Sequence, residues 1–132
     1  SSAARAWAGK SVKTASTPTI TSVGASTVTY HTDLTFRTGN TQIPGAMRVY
    51  GPQVTDNLAS VLGGSPAYTS ATVTGISVTG PAPACTANTA YNGVGTNTML
   101  AGPATAFLAA GESCLITVGV DVTYPYSATS FT

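Results

Sequence analysis

"LAAGESCLITVGVDVTYP", residues 108–125, decides the fold class. Ile116, Val118, Val120, Val122 and Tyr124 alternate with Thr117, Gly119, Asp121 and Thr123, with Cys114 at the head of the apolar row. Successive side chains on a strand point to opposite faces, so this spacing describes a strand with one face in a core and one in solvent. Ala110-Gly111, just upstream, supplies a turn into it.

The same period continues outward along the chain. "STVTYHTDLTFRT" (26–38) turns Val28, Tyr30, Thr32, Leu34 and Phe36 inward and Thr29, His31, Asp33, Thr35 and Arg37 outward. "GNTQIPG" (39–45) is turn chemistry, and "AMRVYGPQV" (46–54) is a shorter strand cut by Gly51-Pro52, as at a sheet edge or strand end. "VTDNLASVLGG" (54–64) accommodates one short helical turn, with Asp56 or Asn57 as its cap. "YTSATVTGISVTG" (68–80) is another strand, and Gly75 in mid-run marks a bulge or register change. Residues 81–98 are loop-rich, with Asn92-Gly93 as a tight-turn signal. Residues 99–114 hold a short strand before the final turn. Short strands separated by Gly, Pro and Asn, with no helical period of useful length, give an all-β chain: an immunoglobulin-like antiparallel β-sandwich of about seven strands. The expected organisation is an N-terminal arm or junction (1–9), the sandwich (10–125) and a C-terminal tail (126–132).

Composition narrows the partners. Charged residues make up only 7% of the 132, while 24 Thr and 13 Ser supply the polar surface. Arg5, Lys10, Lys13, Arg37 and Arg48 are scattered over a chain of net charge +1, so no basic cluster exists to displace counterions from nucleic acid. No apolar run is long enough to span a bilayer as a helix. The two cysteines, Cys85 and Cys114, favour a disulfide and an oxidising compartment; two buried free thiols are the alternative. If paired, they close a loop worth about 3–4 kcal/mol by chain entropy.

Residues suited to catalysis are sparse. His31 is the only histidine and shares an outward face with Asp33, about 7 Å away along a strand. A nucleophile could be imagined beside them, but an exposed polar pair on a solvated face is the simpler expectation. Asp33, Asp56, Glu112 and Asp121 are not paired by local spacing as a glycosidase would require. Zinc lacks ligands at metal-binding spacing. Calcium would have to draw on "VTDN" and the Asn-rich residues 88–97. A Lys–Asn isopeptide crosslink from Lys10 or Lys13 needs a buried acid, whereas Asp121 alternates outward. Trp7, Tyr50, Tyr91, Tyr124 and Tyr126 are not spaced to form one exposed sugar-stacking face. The expectation is therefore no enzyme, no cofactor and no metal.

Five motifs occur in order: "VTYHTDLTFRTGN" (28–40), "VTDNL" (54–58), "CTANTAYNG" (85–93), "MLAG" (99–102) and "LAAGESCLITVGVDVTYP" (108–125). Together they resemble the immunoglobulin-like "conserved repeat domain" of large bacterial and archaeal surface proteins, over roughly residues 10–125. Two departures stand out: Ala110 where that family usually has Pro, and no further "NTATAT"-like strand after "TYP". A missing last strand implies an open sheet edge, filled by the tail 126–132 or by a neighbouring chain or domain. The N-terminal arm is a candidate for supplying a strand in trans.

The resemblance implies a non-enzymatic, extracellular, cell-surface module: a stalk spacer, or a filament or surface-layer subunit joined by strand addition. Its partners would be copies of itself or sister domains. The alternative is an adhesin-type domain recognising glycan or protein through loops 39–46 and 86–98.

Overall fold

A computed structural model of the protein describes residues 11–41, 47–62 and 68–126. Within them lie β1 (Ser11–Ala15), β2 (Thr19–Val23), β3 (Thr27–Gly39), β4 (Val49–Tyr50), a single-turn helix α1 (Leu58–Leu62), β5 (Ser70–Thr79), β6 (Phe107–Leu108) and β7 (Ser113–Pro125). The chain is all-β and antiparallel, with two sheets. The expected arm, residues 1–9, and all of the tail beyond Tyr126 lie outside the described residues.

The main sheet is built on its two longest strands. β3 and β7 pair along their whole length, from Thr27 opposite Pro125 to Gly39 opposite Ser113. β5 takes the other side of β7, with a register shift between Val73 and Gly75 where the mid-strand glycine suggested one. β1 and β2 share the outer edge of β3. They sit opposite residues 34–38 and 28–31 respectively, and the joint between them contains Pro18. A proline that cannot donate a ladder hydrogen bond is tolerated at such an edge.

The second layer is much less regular. β4 pairs β6 over two residues, and single bridges join Thr55 to Thr98 and Ala87 to Leu100. "MLAG" contributes one such bridge rather than a strand, because a side chain takes the place of a partner strand. The Gln53 amide accepts from Leu100 N–H at 2.7 Å and donates to Leu100 C=O at 2.8 Å. Asn40, fully buried, likewise donates to the Met47 and Leu108 carbonyls, both at 2.9 Å.

Between the layers sits the core. Phe36, Ile116, Val118 and Val120 from the main sheet meet Leu58, Tyr91, Met99 and Leu108 from the second layer, each at most 3% exposed. The inward and outward sets expected for residues 28–37 and 114–124 alternate as the spacing requires. Cys85 and Cys114 form the disulfide, with Cα atoms 5.3 Å apart and a sequence separation of 29. It fastens the loop after β5 to the head of β7. Gly80 permits this approach: its φ is +142°, and a Cβ there would lie 2.5 Å from Cys85 Sγ.

β7 is paired on both sides, by β3 and β5, and among the described residues β5 has no partner on its other side. β5 precedes β7 in the chain, so the place beside β7 is already occupied when the chain reaches Pro125. Residue patterning identifies strands and faces; it does not identify neighbours.

Candidate functional surfaces: a histidine–carboxylate cluster, an uncharged edge and an apolar trough

The outer face of the main sheet is mostly hydroxyl. Thr29 and Thr123, directly opposed, have Oγ1 atoms 2.8 Å apart, and Thr35 opposes Thr117. One charged cluster interrupts it. The β3–β7 register sets His31 opposite Asp121, and Nδ1 lies 2.7 Å from Asp121 Oδ1. Nε2 lies 3.1 Å from Asp33 Oδ1, two residues along the same strand. Gly119 makes room for the cluster: a Cβ there would fall 2.6 Å from Thr74 Oγ1 and 3.2 Å from His31 Cε1. Thr74 is the bulged residue of β5, so the bulge and the glycine fit one another.

The Asp121 carboxylate raises the His31 pKa above its ordinary 6.5, partial burial opposes the shift, and Asp33 adds to it. The imidazolium can donate both N–H groups to carboxylates, whereas neutral imidazole must turn a lone pair toward one of them. Catalytic use meets a geometric obstacle. A base that activates a hydroxyl needs one nitrogen held by a carboxylate and the other free for the nucleophile. Here both nitrogens are engaged. Ser77, Thr74 and Thr117 share the shallow depression beside His31, but none replaces Asp33 at Nε2.

Sequence spacing linked Asp33 to His31 and placed Asp121 on the same outer face. It missed the His31–Asp121 contact, which depends on strand pairing across most of the chain. Asp121 is half-exposed and occupied with His31, away from the core where an isopeptide bond would need its acid. Lys10, one of the two lysines considered for that bond, lies outside the described residues.

Loop 86–98 is braced by its own asparagines. Asn92 Oδ1 accepts from the N–H groups of Val94, Gly95 and Thr96 at 2.9–3.0 Å, and Gly93 adopts φ +70°. Asn88 accepts from Ala90 N–H at 3.1 Å and donates to Thr98 C=O at 3.0 Å. The Asn88 and Asn92 side-chain oxygens, two of those considered as calcium ligands, are thus committed to backbone N–H groups, whereas Asn97 Oδ1 is buried with no hydrogen-bond partner among the described residues. Tyr91 is buried and donates its hydroxyl to Asp56 C=O at 3.0 Å. Burial first, and the Asp56 charge second, raises its pKa. Among the described residues, no three His, Cys, Asp or Glu side chains group as metal ligands.

Protein-family models, curated proteins and solved structures give no match to this chain. The resemblance to the conserved repeat domain rests on the five sequence motifs alone.

Two further surfaces belong to the main sheet. The first is the free edge of β5. Its ten residues, "SATVTGISVT", carry no charge and no proline, and among the described residues no strand pairs with it. By contrast, the opposite edge is broken at Pro18 and shifted in register between Ile20 and Ser22. The second is an apolar trough of about 570 Å³ on the inner face, at the end of the sheet where Val28 pairs Tyr124. Val28, Tyr30, Val122 and Tyr124 line it from the sheet, and Val61 and Leu62 of α1 form one wall. The rings of Tyr30 and Tyr124 meet edge-to-face, with centroids 6.1 Å apart. No helix among the described residues is long and apolar enough to cross a membrane.

Proposed function

We propose that this chain is a non-enzymatic structural module of an extracellular surface protein, with an immunoglobulin-like sandwich of the conserved-repeat type. It joins copies of itself or sister domains by strand addition at the free edge of β5. One observation carries this reading: β5 presents ten uncharged residues at an edge that nothing among the described residues covers. Edge strands that must stay monomeric are usually blunted by lysine, proline, shortness or a covering segment. β5 has only the bulge at Gly75. Added strands gain main-chain hydrogen bonds there without desolvating any charge. The disulfide is compatible with an oxidising compartment, which supports the extracellular placement.

The test is light scattering and negative-stain microscopy of the full chain beside a Ser70→Lys/Ser77→Lys/Thr79→Lys variant. All three sites are exposed positions of β5. The reading expects oligomers or filaments from the parent chain, and monomers of unchanged melting temperature from the variant. Assemblies that survive the lysines, or a parent chain that stays monomeric when concentrated, would remove the edge from consideration.

A second reading, the adhesin-type binding module, has one supporting observation. Arg48 stacks 4.2 Å over the Phe107 ring, beside an exposed Tyr50 whose ring centroid is 5.7 Å from that of Phe107. This aromatic patch adjoins loop 39–46, of which residues 42–46 lie outside the described residues. Glycan binding lost on Tyr50→Ala would favour this reading over the structural one.

A further inference from the structure

We infer that the apolar trough is the docking site for the C-terminal segment of the same chain, residues 127–132, with Phe131 as the inserted side chain. The inference is independent of strand addition at β5.

The chemistry of the trough favours an apolar occupant. None of its lining residues is charged. Its two central hydroxyls are already satisfied, because Thr32 donates to Ser16 C=O at 2.9 Å and lies 3.3 Å from Ser16 Oγ. What remains is aromatic and aliphatic surface whose burial is favourable and non-directional. The fitting occupant is an uncharged segment with a large apolar side chain.

Three segments outside the described residues contain one. Ile43 is in residues 42–46, whose flanks Thr41 and Met47 sit beside Asn40 at the far end of β3, so it is out of reach. The chain leaves the sheet at the trough itself: Pro125 lines it, and the next residue, Tyr126, donates its N–H to Ser26 C=O at 2.8 Å. The segment that follows, "SATSFT", is uncharged and has Phe131 as its one large apolar residue. Phe131 is five residues beyond Tyr126 and can reach about 16 Å, enough to turn back over Tyr124 and Tyr30. The third segment, residues 1–10, carries Trp7 together with Arg5 and Lys10. It enters at Ser11, opposite Thr38, at the far end of β3. From Thr38 to Tyr30 is about 26 Å along the strand, whereas Trp7 can reach only about 13 Å back from Ser11. Reach and charge both select the C-terminal segment.

The experiment compares the full chain with Phe131→Ser and Phe131→Leu. It measures thermal melting, the fluorescence of an added anilinonaphthalene probe, and nuclear Overhauser contacts in a mixture of isotope-labelled and unlabelled protein. The docked segment predicts contacts from the Phe131 ring to Tyr30, Tyr124 or Val122 within one molecule. It also predicts a melting temperature several degrees lower and a several-fold brighter probe for Phe131→Ser, with Phe131→Leu restoring most of both. Unchanged melting and probe binding in Phe131→Ser, with no such contacts, would overturn the inference. So would contacts found only between molecules, which would make the occupant a second copy's tail, or contacts to Trp7.

Discussion

Reducing the Cys85–Cys114 disulfide should lower stability by an amount fixed mainly by how much chain it encloses. The cysteines are 29 residues apart, and the chain-entropy relation for a loop of that size gives about 3.6 kcal/mol at 25 °C. Unfolding entropy scales with length, to about 0.28 kcal/mol/K for 132 residues, so the melting temperature should fall by about 13 °C. The mechanism has a second signature. A crosslink acts on the unfolded chain by keeping it compact, so reduction should also steepen the dependence of stability on denaturant. Thermal melts and urea titrations with and without a phosphine reductant measure both quantities on one sequence, with no substitution to confound packing. A shift of less than about 3 °C with an unchanged slope would refute the reasoning. The loop would then be held by its packing, with the bond adding little to it.

Three other outcomes follow from the geometry. Gly80→Ala brings a Cβ to 2.5 Å from Cys85 Sγ and 2.6 Å from Ser113 O at a φ suited to glycine, and should cost more than about 2 kcal/mol or leave free thiols on titration. His31 has a raised folded pKa, so its contribution is fully present below the unfolded value near 6.5 and is lost as pH rises through the folded one. Denaturant stability should therefore decline from mildly acidic to mildly alkaline pH, and His31→Asn should flatten that slope; an unchanged profile would dissociate the cluster from stability. Gln53→Ala strips both hydrogen bonds from the Leu100 backbone and should cost about 1–2 kcal/mol by thermal melting, more than an ordinary surface substitution.

Periodicity made the main sheet legible because its strands bury one face against a core. His31 to Thr38 and Cys114 to Val122 alternate in burial without a break, and burial leaves them only one register. Gly75 and Gly111 were readable for a similar reason: a glycine inside a strand or after a small residue has few other uses. The second layer was not legible in the same way. Its backbone is satisfied by the amides of Asn40, Gln53, Asn88 and Asn92, and amide side chains impose no period on the sequence around them. The cluster was half legible. His31 and Asp33 are close in sequence, but Asp121 arrives through a register that local spacing does not encode. The trough was hidden for a different reason. Tyr30 and Tyr124 fall on the core face, and nothing in their spacing says that they line a trough there.

The pairing of β3 with β7 also sets the order in which this chain can fold. Thr29 meets Thr123, 94 residues later, and every other rung of that ladder is similarly distant. β2 can close on β3 early through the turn in which Gly24 N–H binds Thr27 C=O, but the other side of β3 must wait. Contacts of such long range are slow to form, because loop-closure entropy is lost before the contacts are made. A chain emerging from a ribosome or a secretion channel amino end first would present β3 to its surroundings until β7 had emerged as well. Its thirteen residues include Asp33 and Arg37 on the outward face, and these are the charges available to keep the waiting strand soluble.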